Sequence, residues 1–333
     1  MVFVQLFFML IIILIAAEVF TNALEHLGEK LGISEGVTGS LFAAVGTALP
    51  ETMVPLLAIF AGTSNTTTNH EIGVGAILGA PLMLATLSIS LMAISVWKRR
   101  GTNGHLRPER TGLTRDLNFF IAAFSVAAAA LYIPHDNTFA RSFFSLIMVL
   151  IYVVYVWMTL KASKSLVDEG HATEAESPMF INKLGLPTNT YTIILQIILG
   201  LALLIAGAKG FINGVEEASS ILGISALMLS LLIIPIATEL PEKVNSVLWI
   251  RKGKDTLAFG NITGAMVFQG TLLPAIGISL TPWEPRAEVV WGIVITLVAA
   301  LWMRYLMAKG GIRVWHLLVN GVMYVTYLFI ALS

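Results

Sequence analysis

"ISALMLSLLIIPIATELPEKVNS" (Ile224–Ser246) runs fifteen residues without a charge and then sets Glu239, Glu242 and Lys243 within five, with Pro241 between the carboxylates. A charged side chain at the centre of a bilayer costs about 2.5–3.5 kcal/mol on insertion scales, so such a cluster marks a function or a pairing. Proline has no N–H to donate and its ring clashes with the carbonyl four residues earlier. A helix through this stretch is expected to break, freeing the carbonyl of Ala237 and tilting that of Thr238 just where the carboxylates gather.

The rest of the chain decides whether that depth is membrane. The 333 residues are 56% hydrophobic and 12% charged, with mean hydropathy +0.83, a polytopic membrane composition. There is no cysteine, which excludes disulfides and thiol-based zinc or redox sites. No basic patch for nucleic acid is present. The opening run "VFVQLFFMLIIILIAA" has no basic residue before it and continues into "EVFTNAL", so it reads as a membrane helix and not as a signal peptide. Apolar segments fall at 1–24, 37–62, 71–97, 117–134, 139–162, 189–212, 223–250, 255–280, 286–306 and 312–332. Each is long enough to cross about 30 Å of hydrocarbon.

Twenty basic residues balance twenty acidic ones, but the basic ones are not evenly placed. One set of alternate loops holds sixteen, from Lys30 through the Lys98–Arg115 run to Arg313; the other holds Arg141, Lys209 and Arg286, with Lys243 inside a segment. This bias puts both termini outside and the 163–188 loop in the cytoplasm, in a multi-pass protein of the plasma (inner) membrane.

The chain also repeats. Displaced by 191 residues, Phe20 falls on Phe211, Asn22 on Asn213, Glu25 on Glu216, "LGIS" (31–34) on "LGIS" (222–225), and "GTALPE" (46–51) on "ATELPE" (237–242). With a six-residue shortening, "GAILGA" (75–80) falls on "GNITGA" (260–265). Five segments per half turn the second copy upside down. The expected fold is therefore all-α, ten transmembrane helices in two inverted five-helix repeats (1–162 and 189–333) joined by a cytoplasmic linker (163–188), with Pro-interrupted helices at the midplane. Inverted repeats with broken helices signal a secondary transporter.

The twin motif supplies the site. Pro50 and Pro241 free the carbonyls of Gly46 and Ala237 and loosen those of Thr47 and Thr238, and exposed backbone oxygen at this depth lines a cavity or holds an ion. Glu51 and Glu242 follow at the start of a restarted helix, where the dipole favours negative charge. Two carboxylates and two carbonyls reach six oxygens, and Ca²⁺ takes six to eight. Two negative charges match one divalent metal ion, whose removal leaves a repulsive pair that needs protons or monovalent cations in its place.

These motifs, the "LGIS" lead-ins, the Gly-x-x-x-Gly helices and the five-plus-five layout resemble the calcium/cation antiporter superfamily, typified by sodium/calcium exchangers, over nearly the whole chain. The resemblance implies Glu51 and Glu242 at a central calcium site, Thr47 and Thr238 ligating through backbone oxygens, and long tilted helices, segments one and six, sliding to switch access. The chain departs from the family pattern at Ala48 and Glu239 in the motifs, at Ala76, and at Ala80, Pro81, Ala265 and Met266, where the family carries sodium-binding Ser and Asn/Asp. Glu239, Lys243, Asn245, Asn261 and Gln269 are polar residues that surround or couple to the site. Lys243 has two readings: an i,i+4 salt bridge with Glu239 that holds the broken helix, or an ammonium that stands in for a cation.

The leading function is antiport of Ca²⁺ for Na⁺ or H⁺ by alternating access, with inorganic cations and the bilayer as the only partners and no cofactor beyond the transported ions. The runner-up is a monovalent cation/H⁺ or other divalent antiporter on the same scaffold. A membrane enzyme using the paired glutamates is remote, because no catalytic motif accompanies them. The oligomeric state is open, a monomer being compatible.

Overall fold

The structure, a computed structural model, describes residues 2–31, 49–167 and 177–332. It is built almost wholly of helices: α1 (Val2–Lys30), α2 (Leu49–Ala61), α3 (Thr66–Met83), α4 (Ile89–Arg100), α5 (Arg110–Ala130), α6 (Thr138–Val167), α7 (Thr190–Leu222), α8 (Ala226–Thr238), α9 (Leu240–Arg251), α10 (Asp255–Leu280), α11 (Ala287–Lys309) and α12 (Val314–Leu332). Eight helical stretches among the described residues are long and apolar enough to span a membrane, α3 and α4 counting as one of 35 residues. The other two expected segments are the short apolar helices α2 and α8, the latter continued by α9. The ten-segment reading holds, and the first part of segment 37–62 lies outside the described residues.

One boundary differs from expectation. The segment expected at 117–134 starts at Arg110, because Glu109 caps it, accepting from the N–H groups of Thr111 and Gly112. The charges of "RPERTGLTRD" hide this first turn and a half from a hydropathy reading. The Gly112 N–H, with that of Thr111, holds the Glu109 carboxyl below the usual carboxylate range.

The chain forms two compact units, 1–69 with 160–223 and 70–159 with 224–333, each drawing on both sequence halves. In the first, α1 lies along α7. Gly200 makes this possible: a Cβ there would sit 3.0 Å from both the Cβ and the backbone nitrogen of Phe20. Lower on α7, Gly207 faces Ile13 and Gly214 faces Leu6, so three glycines spaced seven residues apart form the contact. Small residues allow such backbone approach in membrane helices, where no hydrophobic force drives association. Gln196 pins the pair, donating to the Val19 carbonyl (2.9 Å) and to Asn22 Oδ1 (2.9 Å).

In the second unit the apolar core gathers Phe120, Phe124, Phe259, Ile262 and Val267. Between α3 and α4 the chain widens into a π turn, Leu84–Ser88. Pro81 precedes it inside α3, and Asn320 of α12 donates to the Ala85 carbonyl at 2.7 Å, which supports an opened helix ladder of this kind. Arg100 forks onto Asp255 at 2.9 and 2.8 Å and also donates to the Ile250 carbonyl (2.8 Å), while Arg99 takes that of Arg251 (2.9 Å). These guanidinium groups bind the end of α9 to the start of α10. At the other end of α10, Arg141 of α6 donates to the carbonyls of Ile278, Thr281 and Pro282. A two-residue antiparallel ladder, β1 (His105–Leu106) with β2 (Ile312–Arg313), closes the arginine-rich end.

Two outcomes follow. Gly200→Leu forces α1 off α7 and lowers the melting temperature of the detergent-purified protein, by about 1–3 kcal/mol of overpacking, whereas Leu203→Ala on the exposed face of the same helix leaves it near the wild-type value. The Glu109 carboxyl is depressed in the fold, so its cap contributes above the ordinary carboxylate pKa and is lost as pH falls through the lower folded value. Melting temperature against pH is accordingly shallower on the acid side in Glu109→Gln.

Candidate functional site

The break expected at Pro241 is present. The last ladder bond of α8 runs from Glu239 N to Pro235 O (3.2 Å) and the first of α9 from Lys243 N to Glu239 O (3.1 Å), with the carbonyls of Ala237 and Thr238 in the interval. Glu239 stands at the joint with φ −83° and ψ 7°, the sparsely occupied bridge region. The Thr238 hydroxyl turns back to the Ile234 carbonyl at 3.2 Å. A second proline, Pro235, sits inside α8 and cannot donate to the Leu231 carbonyl. Gly79 of α3 meets that carbonyl so closely that a Cβ would lie 2.2 Å from it.

Around the break, polar groups converge. Glu239 is fully buried and its Oε1 accepts from Gln269 Nε2 of α10 at 2.6 Å. Its Oε2 and the Gln269 Oε1 are buried without a hydrogen bond among the described residues. Glu242, buried in the first turn of α9, offers a carboxylate oxygen within 4.8 Å of one from Glu239. Lys243 is buried, and its ammonium donates to the Pro235 carbonyl (2.8 Å) and lies 2.9 Å from Met83 Sδ. The i,i+4 contact with Glu239 is not closed among the described residues; the lysine spans the proline break instead. Asn261 donates to the Glu242 carbonyl (3.0 Å) and to Ser246 Oγ (3.0 Å), which orients α9.

The remaining site residues are placed as follows. Glu51 is buried in the first turn of α2. Gly46 and Thr47 lie outside the described residues. Asn245 is exposed on α9, one residue from buried Ser246, which takes the inward position instead. Ala80, Pro81 and Met266 are buried and Ala265 is half-buried, so these positions offer no side-chain oxygen.

The sequence reading missed Asp116. It is buried on α5 and accepts from Thr263 Oγ1 (2.7 Å) and Tyr155 Oη (3.1 Å), with Arg115 Nε 3.6 Å away. The available signal is an aspartate one residue before the apolar segment expected at 117–134. Asp116 joins α5, α6 and α10 through hydroxyl donors.

With this geometry in place, comparison with known proteins is informative. A family model described as "Sodium/calcium exchanger protein" matches residues 1–161 and 192–333. The chain belongs to this family. Among its relatives, the putative antiporter CaxA of Alkalimonas amylolytica is 28% identical over 278 residues, covering 82% of this chain and 79% of the relative. The inner membrane protein YrbG of Escherichia coli (strain K12) is 25% identical over 284 residues, covering 83% and 78%. The fold matches the crystal structure of the H⁺/Ca²⁺ exchanger CAX with a TM-score of 0.73 at 18% identity, over 98% of this chain and 82% of that one. It matches the sodium-calcium exchanger NCX_Mj with a TM-score of 0.58 at 16% identity, over 99% of each. Family and fold are those of transporters.

Asp116→Ala removes the carboxylate acceptor of Tyr155 Oη, at about 1–3 kcal/mol for that buried group, and leaves Thr263 Oγ1 only the Phe259 carbonyl at 3.0 Å. A fall in thermal stability larger than that of Asp116→Asn, which keeps an acceptor oxygen, is the expected result in detergent melts.

Proposed function

We propose that this exchanger-family protein is a secondary active antiporter that moves Ca²⁺, or a related divalent cation, against Na⁺ or H⁺ by alternating access. The single observation that carries the reading is a buried carboxylate pair, Glu239 and Glu242, at a helix broken by Pro241, with the Ala237 and Thr238 carbonyls in the gap between ladders. Hard carboxylate and carbonyl oxygens suit Ca²⁺. The sequence repeat assigns Glu51 to Glu242, and Gly46 and Thr47 to Ala237 and Thr238, so the cation ligands proposed are these six, with Glu51 and Glu242 as the principal metal-binding carboxylates. Glu239, Gln269 and Asn261 support them. Two matched halves, 1–162 and 189–333, exchange roles as the site opens to either side, and the 163–188 linker lies in the cytoplasm with both termini outside the plasma membrane. The names of relatives, a putative antiporter and an H⁺/Ca²⁺ exchanger among them, agree with this reading. All proposed ligands come from one chain, so a monomer suffices.

A second reading, monovalent cation/H⁺ antiport on the same scaffold, is favoured by the apolar residues at Ala80, Ala265 and Met266 and by the buried ammonium of Lys243. Purified protein in liposomes separates the two. ⁴⁵Ca²⁺ uptake driven by an imposed Na⁺ or pH gradient, reduced at least tenfold in Glu242→Gln, is expected. Absence of calcium flux under both gradients, with Glu242→Gln still abolishing another cation movement, replaces the first reading with the second.

A further inference from the structure

We propose that Lys243 is a specificity-determining residue, its ammonium a tethered cation that holds the place of one monovalent ion at the C-terminal end of α8. The inference rests on the antiport reading and deepens it by fixing what the exchanger leaves out of its transported set.

The placement comes first. The Pro235 carbonyl is the last acceptor of the α8 ladder, taking Glu239 N at 3.2 Å, and Lys243 Nζ approaches the same oxygen at 2.8 Å. The C-terminal end of a helix carries partial negative charge. In transporters built from broken helices, such ends and the unwound carbonyls beside them are where coupling cations are coordinated. Lys243 therefore delivers its charge to the spot that a small monovalent cation would take, and it is buried there.

The charge arithmetic agrees. In the first half, Ala48 and Thr52 stand where the second half has Glu239 and Lys243. The second half has added one negative and one positive charge, leaving the net charge of the matched glutamates unchanged. The two added charges lie within electrostatic reach of one another without forming the expected side-chain contact; Glu239 is held by Gln269 and Lys243 by the Pro235 carbonyl. Glu239 thus stands beside the proposed ligands without drawing in an additional cation, because the counter-charge is covalently supplied. A helix clamp alone would be served by the i,i+4 ion pair, which this structure does not use.

The test uses the full chain. Melting temperature in detergent is measured against Na⁺ at constant ionic strength, choline being the replacement, for wild type, Lys243→Ala and Lys243→Gln. Liposome ⁴⁵Ca²⁺ flux is measured on the same proteins under Na⁺ and pH gradients. Wild type sets the reference Na⁺ response. The variants gain an added saturable shift, upward by about 2 °C at Na⁺ tenfold above its dissociation constant, and Na⁺ drives or competes with calcium flux more strongly than in wild type. Lys243→Gln keeps a donor for the Pro235 carbonyl, so its gain separates lost charge from lost hydrogen bonding. Folded variants whose Na⁺ response equals that of wild type overturn the proposal. If no protein moves calcium under either gradient, the antiport reading fails, and the thermal shifts still decide the role of Lys243.

Discussion

A proline in the middle of an apolar helix leaves a carbonyl with no intrahelical donor, and in hydrocarbon there is no water to replace it. Around Pro241 several polar side chains gather at the interrupted ladder. Lys243 reaches back across the gap to the Pro235 carbonyl, Thr238 folds its hydroxyl onto Ile234, and Asn261 steadies the restarted helix from α10. The gap is also where Glu239 and Glu242 gather. The carboxylates and the broken backbone are one feature, since the proline that interrupts the ladder has a buried glutamate on either side.

The glycines set how near the neighbouring helices come. Gly75 of α3 lies against Ser230 and Leu227, and Gly79 against Leu231 and Pro235, at distances no side chain would permit. Backbone therefore packs on backbone directly before the break, and Met83, one turn beyond Gly79, arrives at the Lys243 ammonium. In the other unit the glycines of α7 bring α1 equally close. Such contacts have little side-chain interdigitation, which gives them small steric roughness along the helix axis.

Much of this was legible in the sequence, because a bilayer imposes long apolar runs and punishes charge. The ten segments, the break at Pro241 and the burial of Glu51 and Glu242 all follow from that rule. What escaped the reading depends on partners distant in the chain. Asp116 is buried because Thr263 and Tyr155 meet it, and neither lies near it in sequence. The π turn at Leu84–Ser88 is supported by Asn320, more than two hundred residues away. Asn245 and Ser246 are adjacent polar residues on one helix, and only the rotation of α9 decides that the serine faces inward. Lys243 and Glu239 keep helical i,i+4 spacing, with the Lys243 N–H on the Glu239 carbonyl, but the ammonium goes to the Pro235 carbonyl and the carboxylate to Gln269.

The arginines at the end of α4 have a second consequence. Arg99 and Arg100 belong to the basic run 98–115, and their guanidinium groups are spent on the carbonyls of Ile250 and Arg251 and on Asp255. Because they lie far before Ile250, Arg251 and Asp255 in the chain, this fastening closes only once both sequence halves are in place, and it ties the first half to the second.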